Sequence, residues 1–361
     1  MIQFNSRRIL WLALSGCAVA LFLLGFGVFW LPNSYPGDNP KVVTIPRGSS
    51  FRVVMDSLES TGAIRSRLAF KIAGRLLGYT REVKVGKYLF ASGLSNLDIL
   101  NDLKEGKSRM IIAVSIPEGW RMESIARKFA RELGVDSTRI LARCRDSVFV
   151  RRFGIEANTL EGYLLPETYN FYWQTDEQEI VERMTTSFRN FFVDSLRKRA
   201  DDLNLTTQKV LALASIIEGE SGVDAERPMI AGVYWNRLRK NMRLEADPTV
   251  QYVIPNGPRR LLYADYKYDS PYNTYLNYGL PPGPINNPGK ASILAALYPE
   301  KHEYLYFVAT GVGGHRFSRT YSEHQKAIKV FRRVRRDLQR QANREGDVGN
   351  RSQNSEIRSQ R

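Results

Sequence analysis

The sequence has few residues that could form disulfides or bind metals. Among 361 residues there are two cysteines, Cys17 in an apolar run and Cys144 in a charged stretch, and three histidines. Cysteines in such different surroundings are not expected to pair. No CxxC or HExxH motif occurs, so neither a zinc centre nor any other cofactor is expected. With 43% hydrophobic residues, the chain can instead build an ordinary apolar core.

Positive charge is in excess and is concentrated at one end. The formal net charge is +16, and residues 326–361 hold eleven Lys/Arg against four Asp/Glu, a net of +7. A basic tail can bind nucleic acid, or an anionic lipid surface or acidic wall polymer. It can equally be a solvated, disordered end. Charge alone leaves these readings open.

An uncharged stretch at residues 9–30 predicts a membrane anchor. As a helix its 22 residues would span about 33 Å, close to a hydrocarbon core of about 30 Å. Arg7 and Arg8 precede it, which places the N-terminus in the cytoplasm and the rest outside. The alternative is a cleaved signal peptide, since LSGC at residues 14–17 resembles a lipoprotein processing site. Cleavage there would leave residues 18–30 as a bare apolar end, so an uncleaved anchor is favoured. An exported chain does not meet chromosomal DNA, and no nucleic-acid partner is expected.

Two similar segments follow a Pro/Gly/Asn-rich linker. An Ile-Pro-x-Gly element at residues 45–48 and again at 116–119 ends a predicted strand and precedes a helical pattern. A returning strand is then predicted at 86–90 and at 161–165. Two small α+β units are the inference, with chance similarity as the alternative. The predicted organisation is a cytoplasmic end (1–8), anchor (9–30), linker (31–41), α+β region (42–172), mainly helical domain (173–330) and basic, disordered tail (331–361).

The helical pattern at residues 208–221 singles out one carboxylate. At 100° per residue, Glu220 falls about 20° from Leu213, the centre of the apolar face, while Glu218 falls about 140° away. A carboxylate on such a face is either structural, neutralised by an arginine such as Arg227, Arg237 or Arg243, or lines a cleft with a raised pKa. Gly219 and Gly222 leave room for a ligand, which favours the second reading.

A loop region after this helix is suited to binding sugars. Residues 263–289 are rich in Tyr, Asn, Pro and Gly; tyrosines stack on sugar rings and amides bond hydroxyl groups. A long loop with few charges is more typical of a functional segment than of a plain connection. Just before it, Asp247 and Pro248 are typical of a helix N-cap and first residue, so Asp247 is interpreted as a cap.

Several motifs, in order, carry a resemblance to a known family. They are EGY at 161–163, LPETY at 165–169, LASIIEGE at 213–220, DPTV at 247–250, YNTY at 272–275, GLPPG at 279–283, NPG at 287–289, YLYFV at 304–308 and GGH at 313–315. The sequence resembles the YceG-like family of endolytic murein transglycosylases from about residue 42 to 330. It departs from the family at Gly219, usually a charged residue, and at Ser221, usually Thr. In lytic transglycosylases of other families the catalytic Glu is directly followed by Ser, as Glu220 is followed by Ser221 here, which supports Glu220 over Glu218.

The resemblance implies an α+β protein with a single transmembrane helix, LysM-like small units and a mainly helical catalytic domain outside the inner (plasma) membrane. It implies cleavage of the MurNAc–GlcNAc β-1,4 bond of nascent peptidoglycan with 1,6-anhydro ends, beside cell-wall synthases and without a cofactor. Glu220 would be the catalytic acid and base. Substrate-binding residues are expected at Asn236, Thr249, Gln251, Tyr272, Asn273 and Tyr275.

Two alternatives stay open. One is a two-carboxylate hydrolase that pairs Glu220 with Asp247 or Glu218. The other is a glycan-binding scaffold of the wall-synthesis machinery that has no turnover.

Overall fold

The apolar N-terminal stretch forms one long helix. The computed structural model describes residues 6–37, 39–220 and 222–359, and side chains within 10–37, 39–220 and 222–340. Helix α1 (Ser6–Phe29) comes first. Its segment Leu10–Phe29 is long and apolar enough to cross a membrane, and only a small part of it is buried. The described chain is a mixed α+β structure, about half helical.

Internal contacts divide the chain into two units that each use discontinuous segments. Unit 1 comprises Met1–Val114, Arg127–Asp136 and Thr168–Glu177, and unit 2 comprises Ser115–Ala126, Ser137–Glu167 and Gln178–Arg361. The division therefore does not fall at one point near residue 173. Residues 168–177 belong to unit 1 because the strand at residues 168–172 pairs with the strand at residues 111–115, which is far away in the sequence.

The first part of the chain alternates short strands with short helices. The elements are β1 (Lys41–Ile45), α2 (Phe51–Ser60), α3 (Arg67–Leu76), β2 (Gly86–Phe90), α4 (Asn96–Glu105), β3 (Ile111–Ser115), α5 (Met122–Leu133), α6 (Ser137–Cys144), α7 (Ser147–Arg151) and β4 (Thr168–Tyr172). β1 and β2 are antiparallel, with Lys41 opposite Phe90 and Ile45 opposite Gly86. The returning strand predicted at 86–90 is confirmed.

Unit 1 is held together by a core beneath this strand pair. Alternate strand residues such as Val43 and Tyr88 point inward and are fully buried, as are Leu58 of α2 and Phe70 of α3. This alternation is the period-two pattern of a sheet with one buried face. Ser95 and Asp98 form a reciprocal capping box at the start of α4, which satisfies backbone donors that the helix leaves unpaired.

The strand predicted at residues 161–165 is wrong. The partner of β3 is β4 (Thr168–Tyr172), further along the chain. Gly162 has a φ of +86°, outside the range of a strand. The amides of Gly162 and Leu164 donate to the side chain of Asn287 instead of to a neighbouring strand.

Unit 2 is mainly helical and packs around one helix whose residues 210–217 are all buried. Its later elements are α8 (Glu177–Phe191), α9 (Asp194–Asp202), α10 (Thr207–Glu220), α11 (Arg227–Arg239), α12 (Asp247–Val253), α13 (Lys290–Leu297), β5 (Tyr306–Ala309), β6 (His315–Ser318) and α14 (Tyr321–Ser359). α11, α12 and α13 all pack on α10. β5 and β6 form an antiparallel pair, with Tyr306 opposite Ser318.

The last helix differs from the predicted disordered tail. α14 continues to Ser359, through residues for which the sequence shows no apolar period. Residues 321–340 are rich in Arg, Gln and Lys, which have favourable intrinsic helix propensity, whereas Gly346 and Gly349 beyond them do not.

Asn287 joins three segments of unit 2. This fully buried amide accepts from the amides of Gly162 at 2.8 Å and Leu164 at 3.1 Å. It donates to the carbonyl of Trp120 at 2.9 Å and to Glu161 at 2.7 Å. Burial raises the pKa of Glu161 to about 8, so this carboxyl depends on its few hydrogen bonds.

Replacing Asn287 by Ala is expected to destabilise unit 2 by about 2–4 kcal/mol, because buried donors and acceptors lose their partners. Thermal unfolding followed by circular dichroism measures the change. Asn158→Ala is the matched control, since Asn158 is exposed and should shift stability by about 0.5 kcal/mol at most. Equal effects of the two changes would contradict the role of Asn287.

Candidate active site

The end of α10 positions Glu220. Residues 210–217 are all buried, so the helix enters the core with apolar side chains on every side. Gly219 allows α12 to approach closely, because a Cβ at this position would lie 2.7 Å from Cβ of Pro248. The expectation that Gly219 leaves room for a ligand is therefore wrong. Around Gly222 the space is open, and Ser221 lies outside the described residues.

Glu220 opens into a pocket of about 230 Å³ that combines charged, aromatic and hydroxyl groups. The pocket is lined by Glu220, Tyr234, Arg237, Leu244, Glu245, Asp247, Tyr275, Phe307 and His324. These residues come from α10, α11, α14, β5 and the segment 244–275. All of them belong to unit 2.

One hydrogen bond and a buried environment set the state of Glu220. The Tyr234 hydroxyl donates to Glu220 Oε1 at 2.7 Å. The pKa of Glu220 is raised to about 7: burial is the main cause and the negative charge of Asp247 adds to it, while the Tyr234 hydrogen bond and Arg237 oppose the rise. No ion pair to Glu220 is found among the described residues. The carboxyl can thus hold or release a proton near neutral pH, as general acid–base catalysis requires.

Glu218, two residues earlier, has a different environment. Its side chain is only 6% exposed and pairs with Arg227 at 2.8 Å. It also accepts from the Gly289 amide at 2.9 Å. Arg227 additionally bonds Asp224 and Glu118. Glu218 is thus the structural carboxylate neutralised by an arginine, and Glu220 is the one that faces a pocket.

Asp247 is not an N-cap. It is the first residue of α12, and Ala246 occupies the cap position without a side-chain hydrogen bond. The Asp247 carboxylate instead accepts from the Tyr275 hydroxyl at 2.6 Å. Burial and this contact raise the pKa of Tyr275. Asp247 therefore brings a second carboxylate to the pocket that contains Glu220.

Three of the predicted substrate-binding residues are buried and hold loops in place. Asn236 donates to the carbonyls of His302 and Tyr304. Thr249 and Asn273 are fully buried. Thr249 bonds the carbonyl of Ala246 and the hydroxyl of Thr274, and Asn273 donates to the carbonyls of Tyr266 and Tyr268. Their polar atoms are occupied by protein groups, so the structure gives them positioning roles rather than direct contacts with a ligand.

The other three lie where a ligand could reach them. Tyr275 lines the pocket. Tyr272 is half-buried, with its ring centroid 5.0 Å from that of Tyr252. Gln251 is half-buried and has one long contact of 3.5 Å with the Arg259 carbonyl. Of the six predicted residues, Tyr275 alone lines the pocket that contains Glu220.

The sequence does not indicate Tyr234 or His324 as pocket residues, and it indicates Arg237 only as a possible neutralising partner of a carboxylate. Tyr234 and Arg237 are one helical turn apart on α11, a spacing that would have placed them together once the packing of α11 on α10 was known. His324, on α14, stacks on Tyr306, and burial lowers its pKa. Nothing in the local sequence around His324 indicates its position. In the described part of the chain, no group of three or more His, Cys, Asp or Glu could hold a metal ion.

Comparison with known proteins places these features in a family. A model of the YceG-like family matches residues 43–330. The chain belongs to the YceG-like family. The match includes every residue that lines the pocket, whereas α1 and the end of α14 lie outside it.

Relatives of this YceG-like chain carry an enzymatic name. An endolytic murein transglycosylase from Bacillus subtilis is 33% identical over 303 residues, which cover 80% of this chain and 84% of the relative. One from Streptococcus pneumoniae is 28% identical over 307 residues, covering 75% of this chain and 55% of the relative. The crystal structure of a yceG-like protein from Listeria monocytogenes is 34% identical, with a TM-score of 0.56, and covers 79% of this chain and 97% of that chain.

The raised pKa of Glu220 predicts a pH-dependent cost to stability. Between the ordinary value of 4.5 and about 7, the folded state keeps a proton that the unfolded state has lost, so stability falls as pH rises. Gln cannot ionise. Glu220→Gln is therefore expected to gain about 1–3 kcal/mol over the wild type between pH 4.5 and 8, less than the full shift implies because the side chain is partly exposed.

Thermal unfolding of both proteins across this pH range measures the difference. Glu303→Gln is the control, since the Glu303 side chain is 79% exposed and its replacement should leave the pH dependence unchanged. Parallel curves for the wild type and Glu220→Gln would contradict the raised pKa.

Proposed function

We propose that this chain is an endolytic peptidoglycan lytic transglycosylase that uses Glu220 as its acid and base. The proposal rests on the Glu220 carboxyl, which faces a pocket, accepts from Tyr234 and has a pKa of about 7. Membership of a family whose relatives are named endolytic murein transglycosylases supports the substrate class.

The reaction begins with proton transfer to the leaving group. Protonated Glu220 donates its proton to the glycosidic oxygen between MurNAc and GlcNAc, and the bond from this oxygen to C1 of MurNAc breaks. Because the pKa of Glu220 lies near the working pH, a substantial fraction of the protein has a protonated Glu220 that can act as the acid. The carboxylate formed by the transfer is then basic enough to accept a proton. Positive charge develops at C1 as the bond breaks. The carboxylate of Asp247, held by Tyr275, is placed to stabilise that charge.

The second step uses the same carboxyl as a base. The Glu220 carboxylate accepts the proton of the MurNAc C6 hydroxyl, whose oxygen attacks C1 and forms the 1,6-anhydro ring. The proton that Glu220 gave away is thereby restored, and no water is consumed. One carboxyl is sufficient because the nucleophile belongs to the substrate, whereas ordinary glycosidases use two carboxyl groups.

Substrate binding is assigned to the half-buried aromatic and amide groups around the pocket. We propose that Tyr275, Tyr272 and Gln251 contact the glycan directly, since tyrosine faces pack on sugar rings. Asn236, Thr249 and Asn273 support these contacts by fixing the loops from within. The long strand needs an open site, and the partly exposed positions of the first three residues meet that need.

The rest of the chain is proposed to keep this domain at the membrane. α1 anchors the protein in the inner (plasma) membrane with its N-terminus in the cytoplasm, and unit 2, which contains the pocket with Glu220, acts outside. We propose that residues 42–172 hold the LysM-like part, with β1, α2, α3 and β2 as one small α+β unit within it. Nascent glycan strands are the substrate, cell-wall synthases are the expected neighbours, and no nucleic acid is involved. Cleavage within nascent strands would terminate their elongation.

Mass spectrometry of the products tests the reaction. The full chain in detergent is incubated with peptidoglycan, and the released muropeptides are analysed. The wild type is expected to give 1,6-anhydro ends. Glu220→Gln should lower their yield by about 10²–10⁴-fold, because the transferable proton is lost.

Glu218→Gln is the matched control on the same helix. It weakens the pair with buried Arg227 and so lowers stability, but we expect it to leave anhydro products within about tenfold of the wild type, since Glu218 takes no part in proton transfer. Loss of products with Glu218→Gln and retention with Glu220→Gln would reverse the assignment.

The presence of Asp247 in the pocket favours one second candidate, a two-carboxylate hydrolase. Free reducing ends in place of anhydro ends would support it, with water as the nucleophile. If the wild type and both variants bind the glycan but release no products, the chain is a glycan-binding scaffold and the proposed activity is wrong.

A further inference from the structure

Helix α3 carries an exposed apolar stripe. Leu68, Ile72 and Leu76 are 67%, 39% and 70% exposed. Their spacing of four residues aligns them along one face of the helix. Phe70 and Ala73, which are fully buried in the core of unit 1, lie on the opposite face. The stripe is therefore not part of that core, and three aligned large apolar groups are unusual on a surface facing only water.

Cations flank this stripe on one side. Arg67, Lys71 and Arg75 follow one another at the same helical spacing and, with Arg52 of α2, line one groove. Arg67 is engaged by Asp56 and Glu59. For Lys71 and Arg75, no carboxylate lies within ion-pair distance among the described residues. Apolar side chains beside unpaired cations are typical of a helix lying at an anionic lipid interface.

The end of α1 is fixed beside α3. α1 packs against α3 and α4, and Val28 of α1 is buried in the core of unit 1. The Asn96 side chain donates to the Val28 carbonyl at 2.8 Å, which ties the last turn of α1 to α4. The apolar segment Leu10–Phe29 therefore ends next to α3.

We propose that α3 lies on the surface of the membrane that α1 enters, with anionic phospholipid as its partner. Leu68, Ile72 and Leu76 insert between the headgroups, and Lys71 and Arg75 bind their phosphates. This inference rests on the proposed membrane anchor. Because α1 already holds α3 at the bilayer, α3 meets the lipid at a high effective concentration. A stripe of three apolar residues is therefore sufficient for binding. The contact keeps unit 1 against the membrane.

A fluorescent probe at single cysteines tests the lipid contact. The full chain is reconstituted into vesicles containing phosphatidylglycerol, with an environment-sensitive dye on Ile72→Cys in a Cys17→Ser background. Cys144 is fully buried and should not react. A blue-shifted emission that is quenched by nitroxide-labelled lipid is expected at residue 72. Ile111→Cys is the matched control, since Ile111 of the same unit is 63% exposed and should be neither shifted nor quenched.

The native Cys17, inside the apolar segment, reports the anchor separately. Quenching at Cys17 without quenching at residue 72 would overturn the surface contact and leave the anchor intact. If Cys17 is not quenched, the anchor and the surface contact both fail, whereas transglycosylase activity is decided by the product analysis alone. Equal quenching at residues 72 and 111 would indicate non-specific adsorption and would also overturn the proposal.

Substitution of the two cations Lys71 and Arg75 is a second test of the lipid contact. Lys71→Gln with Arg75→Gln removes two positive charges, each contributing roughly fivefold near an anionic surface. The ratio of docked to undocked α3 should fall by about 25-fold, seen as lost quenching at residue 72. Vesicles of phosphatidylcholine alone, or high salt, should weaken quenching of the unsubstituted protein. Quenching that is independent of lipid charge would contradict binding of anionic headgroups.

Discussion

The burial of α10 is the constraint on which the candidate site depends. Because α11, α12 and α13 enclose this helix, its last turn must deliver a carboxyl to the edge of an apolar core. An ionised carboxylate is costly there. The protein leaves Glu220 without an arginine partner among the described residues and gives it a tyrosine hydroxyl instead. The resulting pKa near 7 follows from how the domain is packed.

The contrast between Glu218 and Glu220 shows how environment separates two identical side chains. Glu218 accepts hydrogen bonds from Arg227 and from the backbone amide of Gly289. These contacts neutralise its negative charge within the folded domain. Glu220 has a neutral donor and the negative charge of Asp247 nearby. Different hydrogen-bond partners and neighbouring charges are how proteins assign different roles to the same residue type. Asp247 thus links α12 to the state of a residue on α10.

Local patterns predicted the parts of this structure that depend on nearby residues. The helical period placed Glu220 on the apolar face of α10, and the order of strand and helix segments correctly predicted the returning strand at residues 86–90. The misplaced strand at 161–165 and the misread cap at Asp247 have one cause. In both cases a residue far away in the sequence determines the structure. The side chain of Asn287 accepts from backbone amides within residues 161–165, and the Tyr275 hydroxyl donates to the Asp247 carboxylate. Such contacts have no signature in the local sequence, and His324 was missed for the same reason.

The proposed mechanism depends on the protonation state of Glu220, and infrared difference spectroscopy measures this state directly. The spectrum of the wild type minus that of Glu220→Gln isolates the carboxyl stretch of this one residue as pH is varied. We expect a protonated carboxyl at pH 6 that ionises with a midpoint of about 7. A midpoint near the ordinary value of 4.5 would contradict it, because Glu220 would then hold too little proton at neutral pH to act as the general acid.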